Sequence, residues 1–386
     1  MDGESGVVPR QTLPGDPTAR SAQRSVVLTG VAVVGFLLAA LVVASYFGAT
    51  FGVQTVLLAL AVAVLPLMVV IPSFLWLDRF EAEPTRYLLA AFLWGALVAA
   101  LVAAVFNTSA IAVLRSVTDP ESAMATTAVV VAPIVEEALK GALVLVVWLV
   151  LRSEFDGVTD GMVYAGVCAA GFAFTENIQY LAQAYTVGGG EALTATFVLR
   201  CLLSPFAHPM FTILIGVGVG VAATSRTWGP RVLAPVLGYV LAVLAHGLWN
   251  LAAVSGGDGF LAVYLLVEMP VFFAYVAFVV WARRREGHLI GHFLRPYADA
   301  GWLAPSEVVM LSSMARRRQA RVWARTNGGA SGLAAMRAFQ DVASELALLR
   351  RRMQHGAADT RAGEQERVLL AALSRRRREF VGTRVG

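Results

Sequence analysis

Residues 124–151 read MATTAVVVAPIVEEALKGALVLVVWLVL. About 20 apolar residues suffice to cross a bilayer as a helix. This run is interrupted only by Glu136, Glu137 and Lys140. An ionisable side chain near mid-bilayer costs at least about 2.5–3.5 kcal/mol on insertion scales, so a span that keeps three has a pairing, transport or catalytic reason for them. Glu136 and Lys140 are four apart, share a helix face and are expected to pair. Glu137 points about 100° away and needs a partner from another span.

Working outward, seven further runs of similar length occur, at 26–48, 55–77, 86–108, 161–185, 195–224, 231–253 and 260–282. The breakers lie between them: Pro84, Asp119-Pro120, Gly157, Gly188 to Gly190, Gly229-Pro230 and Gly256-Gly257. The chain has 386 residues, 58% hydrophobic and 15% charged, with mean hydropathy +0.67. Soluble domains hold roughly 45–50% apolar residues, so a set of soluble domains is excluded. The two cysteines, Cys168 and Cys201, sit inside apolar runs, which excludes a disulfide scaffold. The expected fold is all-α: a polytopic membrane helical bundle of about eight transmembrane helices with a C-terminal cytoplasmic helical tail.

Three regions are expected: a disordered cytoplasmic leader at 1–25, an eight-span membrane domain at 26–282, and a basic helical tail at 283–386. The tail holds 20 arginines against 9 acids, a net of +11, while residues 1–282 are net −6. The basic pI therefore points to the anionic inner leaflet as partner rather than to nucleic acid. Arginines also set the orientation. With the N-terminus inside, Arg79, Arg86, Arg152, Arg226, Arg231 and Arg283 to Arg285 all fall on inner loops, leaving Arg115 outside. Both termini are then cytoplasmic, in a multi-pass protein of the cell membrane. In the tail, Leu333, Met336, Phe339, Val342, Leu346, Leu349 and Met353 recur at steps of three and four, one apolar helical stripe. A helix from about Ser306 precedes it, Asn327-Gly328-Gly329 separates the two, and a third is expected near 364–380.

Other spans also keep polar groups. Span five carries Glu176 and Asn177. Span six carries Arg200, Ser204 and His208, with Pro205 and Pro209 expected to break the helix. Span seven carries His246 and Asn250, four apart on one face. In this topology Glu136, Glu176, His208 and His246 all lie about 12–20 Å below the outer ends of their spans, at 1.5 Å per residue. Hydropathy and arginines alone fixed the topology, so the shared depth independently indicates one convergent site. Glu268 lies near the same layer, as a partner for Arg200 or a lining group. The acidic stretch Asp78 to Pro84 reads as a solvated inner loop.

Carboxylates, imidazoles and an amide in one buried cavity suit water activation and proton transfer, hence hydrolysis. Packing glue within the bundle is the bland alternative for each group. No HExxH, no GxSxG and no intramembrane aspartate pair occurs. Two arrangements remain open: a metal-free glutamate mechanism with His246 and Asn250 stabilising the oxyanion, or zinc held by His208, His246 and Glu176 with water as fourth ligand. The charge of Lys140 favours the first.

The EExxK of Glu136, Glu137 and Lys140, the FxxxEN from Phe172 to Asn177, His208, and the HxxxN of His246 and Asn250 together resemble the PrsW family of intramembrane proteases, related to the CAAX-processing and bacteriocin-processing membrane proteases. The Asp78–Pro84 element is similar to one of that family, with Ala82 where a proline is usual. The resemblance covers about residues 55–285. It implies intramembrane endopeptidase activity on a membrane-anchored protein such as an anti-sigma factor, a site-1 cleavage in signalling. It also implies Glu136, Glu137, Glu176 and His208 as the active-site set, with His246 and Asn250 beside them and Lys140, Asn177 and Arg200 in support. It leaves the cofactor open between none and zinc. The rival classes are an ion-coupled transporter, which would be expected to show repeats with discontinuous helices, and a non-catalytic membrane scaffold.

Overall fold

A computed structural model describes residues 17–80, 82–151, 155, 157–354 and 361–381. Every regular element among them is helical. In chain order these are α1 (Pro17–Phe51), α2 (Val53–Leu77), α3 (Thr85–Leu93), α4 (Ala100–Leu114), α5 (Pro120–Thr126), α6 (Ala132–Val150), α7 (Val158–Phe197), α8 (Ala207–Thr224), α9 (Trp228–Ser255), α10 (Gly257–Val263), α11 (Met269–Asp299), α12 (Pro305–Leu311), α13 (Met314–Gln354) and α14 (Ala362–Val381). Wider π-helical turns join α3 to α4, α5 to α6 and α10 to α11, and another follows α7. The first helix starts at Pro17, so residues 17–25, expected to be unstructured, extend it outward; Ala and Arg there are good helix formers. The rest of the expected leader, Glu81 and Arg152 lie outside the described residues.

Six helical stretches are long and apolar enough to cross a membrane. One of them, Val158–Thr224, is 67 residues long and holds two of the expected legs. It reverses at Gly188 and Gly189, where Gly189 takes φ 63°, a conformation that side chains with a Cβ disfavour. The returning limb packs along the outgoing one. A Cβ on Gly161 would lie 2.0 Å from the carbonyl oxygen of Gly216, so α7 and α8 touch backbone to backbone. The leg Pro120–Val150 is the one that carries Glu136, Glu137 and Lys140.

Helices α7 and α8 form the centre, largely buried, with α2, α6 and α9 packed around them. The core there is Phe74, Leu77, Met162, Tyr164, Ile213 and Val219. Outer faces of α1, α9 and α11 expose Leu, Val and Phe in long rows, the pattern of lipid-facing helices.

The tail builds its own core. Met336, Phe339, Leu346 and Leu349 of the expected stripe pack with Ile290, Phe293 and Leu294 from the end of α11 and with Leu373 of α14. The expected break at Asn327-Gly328-Gly329 is a kink at Gly329 inside α13, while the helix expected from about Ser306 is itself interrupted at Ser312-Ser313, between α12 and α13. Here the structure departs from the solvated-loop reading of residues 78–84. Asp78, Phe80 and Glu83 are buried. Phe80 enters the tail core, under the buried guanidinium of Arg317, which donates to the Phe80 carbonyl. Glu83 accepts from the Tyr164 hydroxyl at 2.6 Å. Burial, with Glu83 and Glu286 nearby, pushes the Asp78 carboxyl up to about 8, while the Glu83 N–H that it accepts pulls the other way.

Candidate active site

The site is built on a local irregularity of the sequence. In an α-helix the Ala132 N–H would bond the Ala128 carbonyl. The π-helical turn at Thr127–Val131 sends that N–H to Thr127 instead, and Pro133 has no N–H to offer. The Ala128 carbonyl is left over, and the Asn250 amide donates to it at 2.7 Å. Asn250 thus ties α9 to the turn that leads into α6, one turn away from His246, and bonds neither Glu136 nor Glu137 among the described residues. The pairing of His246 with α6 follows from this tie.

Glu137 is fully buried and fully engaged. Its Oε1 accepts from Lys140 Nζ at 2.6 Å and from His246 Nδ1 at 3.0 Å. Its Oε2 accepts from the Thr212 hydroxyl at 2.8 Å. The tight pair in α6 is therefore Glu137 with Lys140, three apart, rather than Glu136 with Lys140, whose closest approach is 4.0 Å. Both spacings lie on a helix face; the second and third partners of Glu137, Thr212 and His246, come from α8 and α9 and decide the competition. Lys140 also lies 4.3 Å over the Phe172 ring.

On the other side, Glu176 accepts at Oε2 from Arg200 at 2.5 Å and bonds His208 Nε2 at 2.7 Å. Arg200 also donates to Asn177 at 3.0 Å and stacks over Tyr180. Glu176, not Glu268, is thus the ion-pair partner of Arg200 among the described residues. The helix break falls at Ser204, beside Pro205 as expected, and α8 restarts at Ala207 to aim His208 inward. A cavity of about 10 Å³, the space of about one water, lies between Asn177, Arg200, Ser204, His208 and Trp249.

The two imidazoles follow one rule. A carboxylate paired with a cation only accepts, so each ring must turn an N–H toward its carboxylate. His246 gives Nδ1–H to Glu137, and His208 gives Nε2–H to Glu176. The other nitrogen of each ring carries a lone pair into the space beside Glu136. His246 Nε2 is 3.8 Å from Glu136 Oε2. His208 Nδ1 is 3.4 Å from Lys140 Nζ. The two rings stand edge to face, centroids 5.1 Å apart.

Glu136 itself is nearly unsatisfied. Its Oε1 accepts from the Asn107 amide at 3.1 Å, and its buried Oε2 has no hydrogen-bond partner among the described residues. Asn107 and Thr212 were not singled out in the sequence. Asn107 looked like the end of a span, but α4 runs on to Leu114 and places it deeper. Thr212 carried a signal, lying one turn after His208. Asn107→Leu is expected to cut turnover by about 10–100-fold, the usual effect of losing a group that orients an active-site residue. Steady-state cleavage by the purified variant checks this; unchanged turnover means that Asn107 is only a packing group.

The fold and the cluster define the class: a multi-pass helical membrane protein with a buried glutamate–histidine centre. The family model described as PrsW family intramembrane metalloprotease matches residues 83–280, about half of the chain, and the chain belongs to that family. It is similar to Protease PrsW of Geobacillus kaustophilus (strain HTA426), 30% identical over 171 residues, covering 42% of this chain and 66% of that one. Protease PrsW of Clostridioides difficile (strain 630) is 27% identical over 191 residues, covering 49% of this chain and 76% of the relative. The chain thus spans just under two thirds of the Geobacillus relative. No solved structure matches.

The family description implies a metal, and the donor set can be tested for it. Glu136, His208 and His246 each offer one ligand atom, all within 4.8 Å of one another and all buried. Zinc bonds of about 2.0–2.2 Å put two ligands of one ion at most about 4.4 Å apart, which the 3.8 Å between His246 and Glu136 satisfies. The unpaired Oε2 of Glu136 and the two nitrogens opposite carboxylate-bound N–H groups are the arrangement of metal-binding imidazoles with carboxylates behind them. The residues fit. Glu176, expected as the third ligand from the sequence, lies behind His208 instead, with its Oε2 taken by Arg200 and the ring.

Proposed function

We propose that the chain is an intramembrane endopeptidase that hydrolyses a peptide bond of a membrane-anchored protein at the Glu136–His208–His246 centre. The observation that carries this reading is the buried, unpaired Glu136 Oε2 facing two imidazoles whose far sides are fixed by carboxylates. Glu136, His208 and His246 would hold a zinc-class ion, which when bound supplies an ionised water at neutral pH.

The remaining roles belong to side chains. Glu137 and Glu176 fix the tautomer and angle of His246 and His208. Lys140 and Arg200 keep those two carboxylates in the accepting form by neutralising their charge. Asn107 holds Glu136 by Oε1, which leaves Oε2 directed at the centre. A cavity with room for about one water lies beside His208.

Resemblance to the family supports an anti-sigma factor as substrate class, and the arginine distribution supports cytoplasmic termini. Reporter fusions at Arg226 and in the tail are expected to read inside, and fusions at Asp119 and Gly189 outside; an outward tail would reverse the orientation.

Purified protein is expected to carry about one zinc per chain. Chelation should abolish cleavage of a co-reconstituted single-span substrate, and zinc should restore it. His208→Ala and His246→Ala should each lose metal and cleavage together. Full cleavage by metal-free protein would overturn the metal assignment, and no cleavage of any single-span protein by the zinc-loaded form would overturn the endopeptidase reading.

A further inference from the structure

A second cavity, about 550 Å³, lies far from the glutamate–histidine centre, where the membrane bundle meets the tail. Three separate elements line it. The short turn between α8 and α9 gives Arg226. The end of α11 gives Arg285, Leu289, His292 and Phe293. The last turn of α13 gives Arg351 and Gln354. Among the described residues its lining holds three guanidiniums and an imidazole and no acid. The size lies within the range of ligand-binding cavities. Guanidiniums converging from three elements suit a phosphate, whose oxygens accept their paired N–H groups.

Depth identifies the source of that phosphate. Trp228 and Trp281 are 78% and 50% exposed, on helices whose other outer residues are lipid-facing Leu, Val and Phe. Trp228 opens α9 and Trp281 closes the apolar part of α11, where the arginines begin, and exposed tryptophans at such boundaries sit at headgroup level. Arg226 is two residues from Trp228, and Arg285 is one turn past Trp281, its guanidinium 5.2 Å from that ring. The cavity therefore opens at the depth of lipid phosphates. Leu289 and Phe293 give it an apolar side on which a glycerol backbone can rest.

We propose that this cavity binds the phosphate headgroup of an anionic phospholipid, joining the tail to the leaflet that it faces. Arg226 already reaches the tail, donating to the Gln354 carbonyl. A bound headgroup would draw Arg226, Arg285 and Arg351 together and so fix the tail core, with Phe80 inside it, against the bundle.

The test uses full-length protein in nanodiscs of phosphatidylcholine with or without phosphatidylglycerol, extracted gently and read by native mass spectrometry. Wild type is expected to retain phosphatidylglycerol and not phosphatidylcholine. Arg285→Gln should lower retention about ten-fold, since losing one hydrogen bond to a charged group costs about 1.5 kcal/mol or more. Leu289→Glu, which places a negative charge in the cavity, should lower it at least as much. Arg284→Gln makes the same charge change on an exposed neighbour outside the lining and should leave retention unchanged. Equal loss in the Arg284 and Arg285 variants, or no loss in either cavity variant, would overturn the site. Displacement of the lipid by millimolar inorganic phosphate would show a site for free phosphate and overturn the lipid assignment.

Discussion

Glu136→Gln is expected to abolish measurable cleavage, a fall of at least about 10²-fold, while the protein still inserts and purifies as wild type. The amide keeps the shape of the side chain and can still accept from Asn107 through its oxygen. It loses the charge that an ion at Glu136, His208 and His246 requires. Zinc stoichiometry should therefore drop together with turnover. The two measurements separate three roles. Loss of both fits a ligand. Loss of turnover with zinc retained makes Glu136 the water-activating base and moves the third ligand elsewhere. Wild-type turnover in the variant would falsify any catalytic role. Stability is expected to hold, because Glu136 Oε2 makes no hydrogen bond to lose among the described residues.

Lys140→Met should act in the opposite sense, on stability first. Lys140 and Glu137 are both fully buried and 2.6 Å apart. Removing the ammonium leaves the Glu137 carboxylate in a low-dielectric interior with only neutral donors, His246 and Thr212. Breaking a buried pair in this way costs about 3–5 kcal/mol. The midpoint of unfolding in detergent should fall accordingly, and a second substitution, Glu137→Gln, should recover part of the loss by removing the stranded charge. An unchanged midpoint in Lys140→Met would mean that the ion pair contributes nothing to holding α6. Cleavage should also fall in the double variant, where Glu137→Gln removes the carboxylate that fixes the His246 ring.

The membrane architecture was legible from hydropathy because helices that face lipid must be apolar along their whole length. The sequence alone also placed Glu136, Glu176, His208 and His246 at one depth, since rise per residue is constant and arginines orient the spans. Which of them touch was not legible. Spacing of four favoured Glu136 with Lys140, yet Glu137 wins the lysine because α8 and α9 bring Thr212 and His246 to its other lone pairs. Shared depth offered Glu176 as a ligand, yet the break at Ser204 turns Arg200 and His208 onto it from one side.

Asn107 escaped notice for a related reason. A lone amide near the end of an apolar run looks like a boundary until the helix is seen to continue and a carboxylate from α6 is seen beside it. The acidic loop failed differently: Asp78, Glu83 and Phe80 read as solvated by composition, but Tyr164 of α7 takes Glu83, and the folded tail, arriving from some 230 residues away, takes Phe80. Sequence therefore determined what is set by one helix in a bilayer: span, face, depth and sign of charge. The tertiary structure decided what depends on competition among helices: which donor each buried oxygen receives, which nitrogen each imidazole keeps free, and hence that Glu136, left without a second donor, stands at the centre.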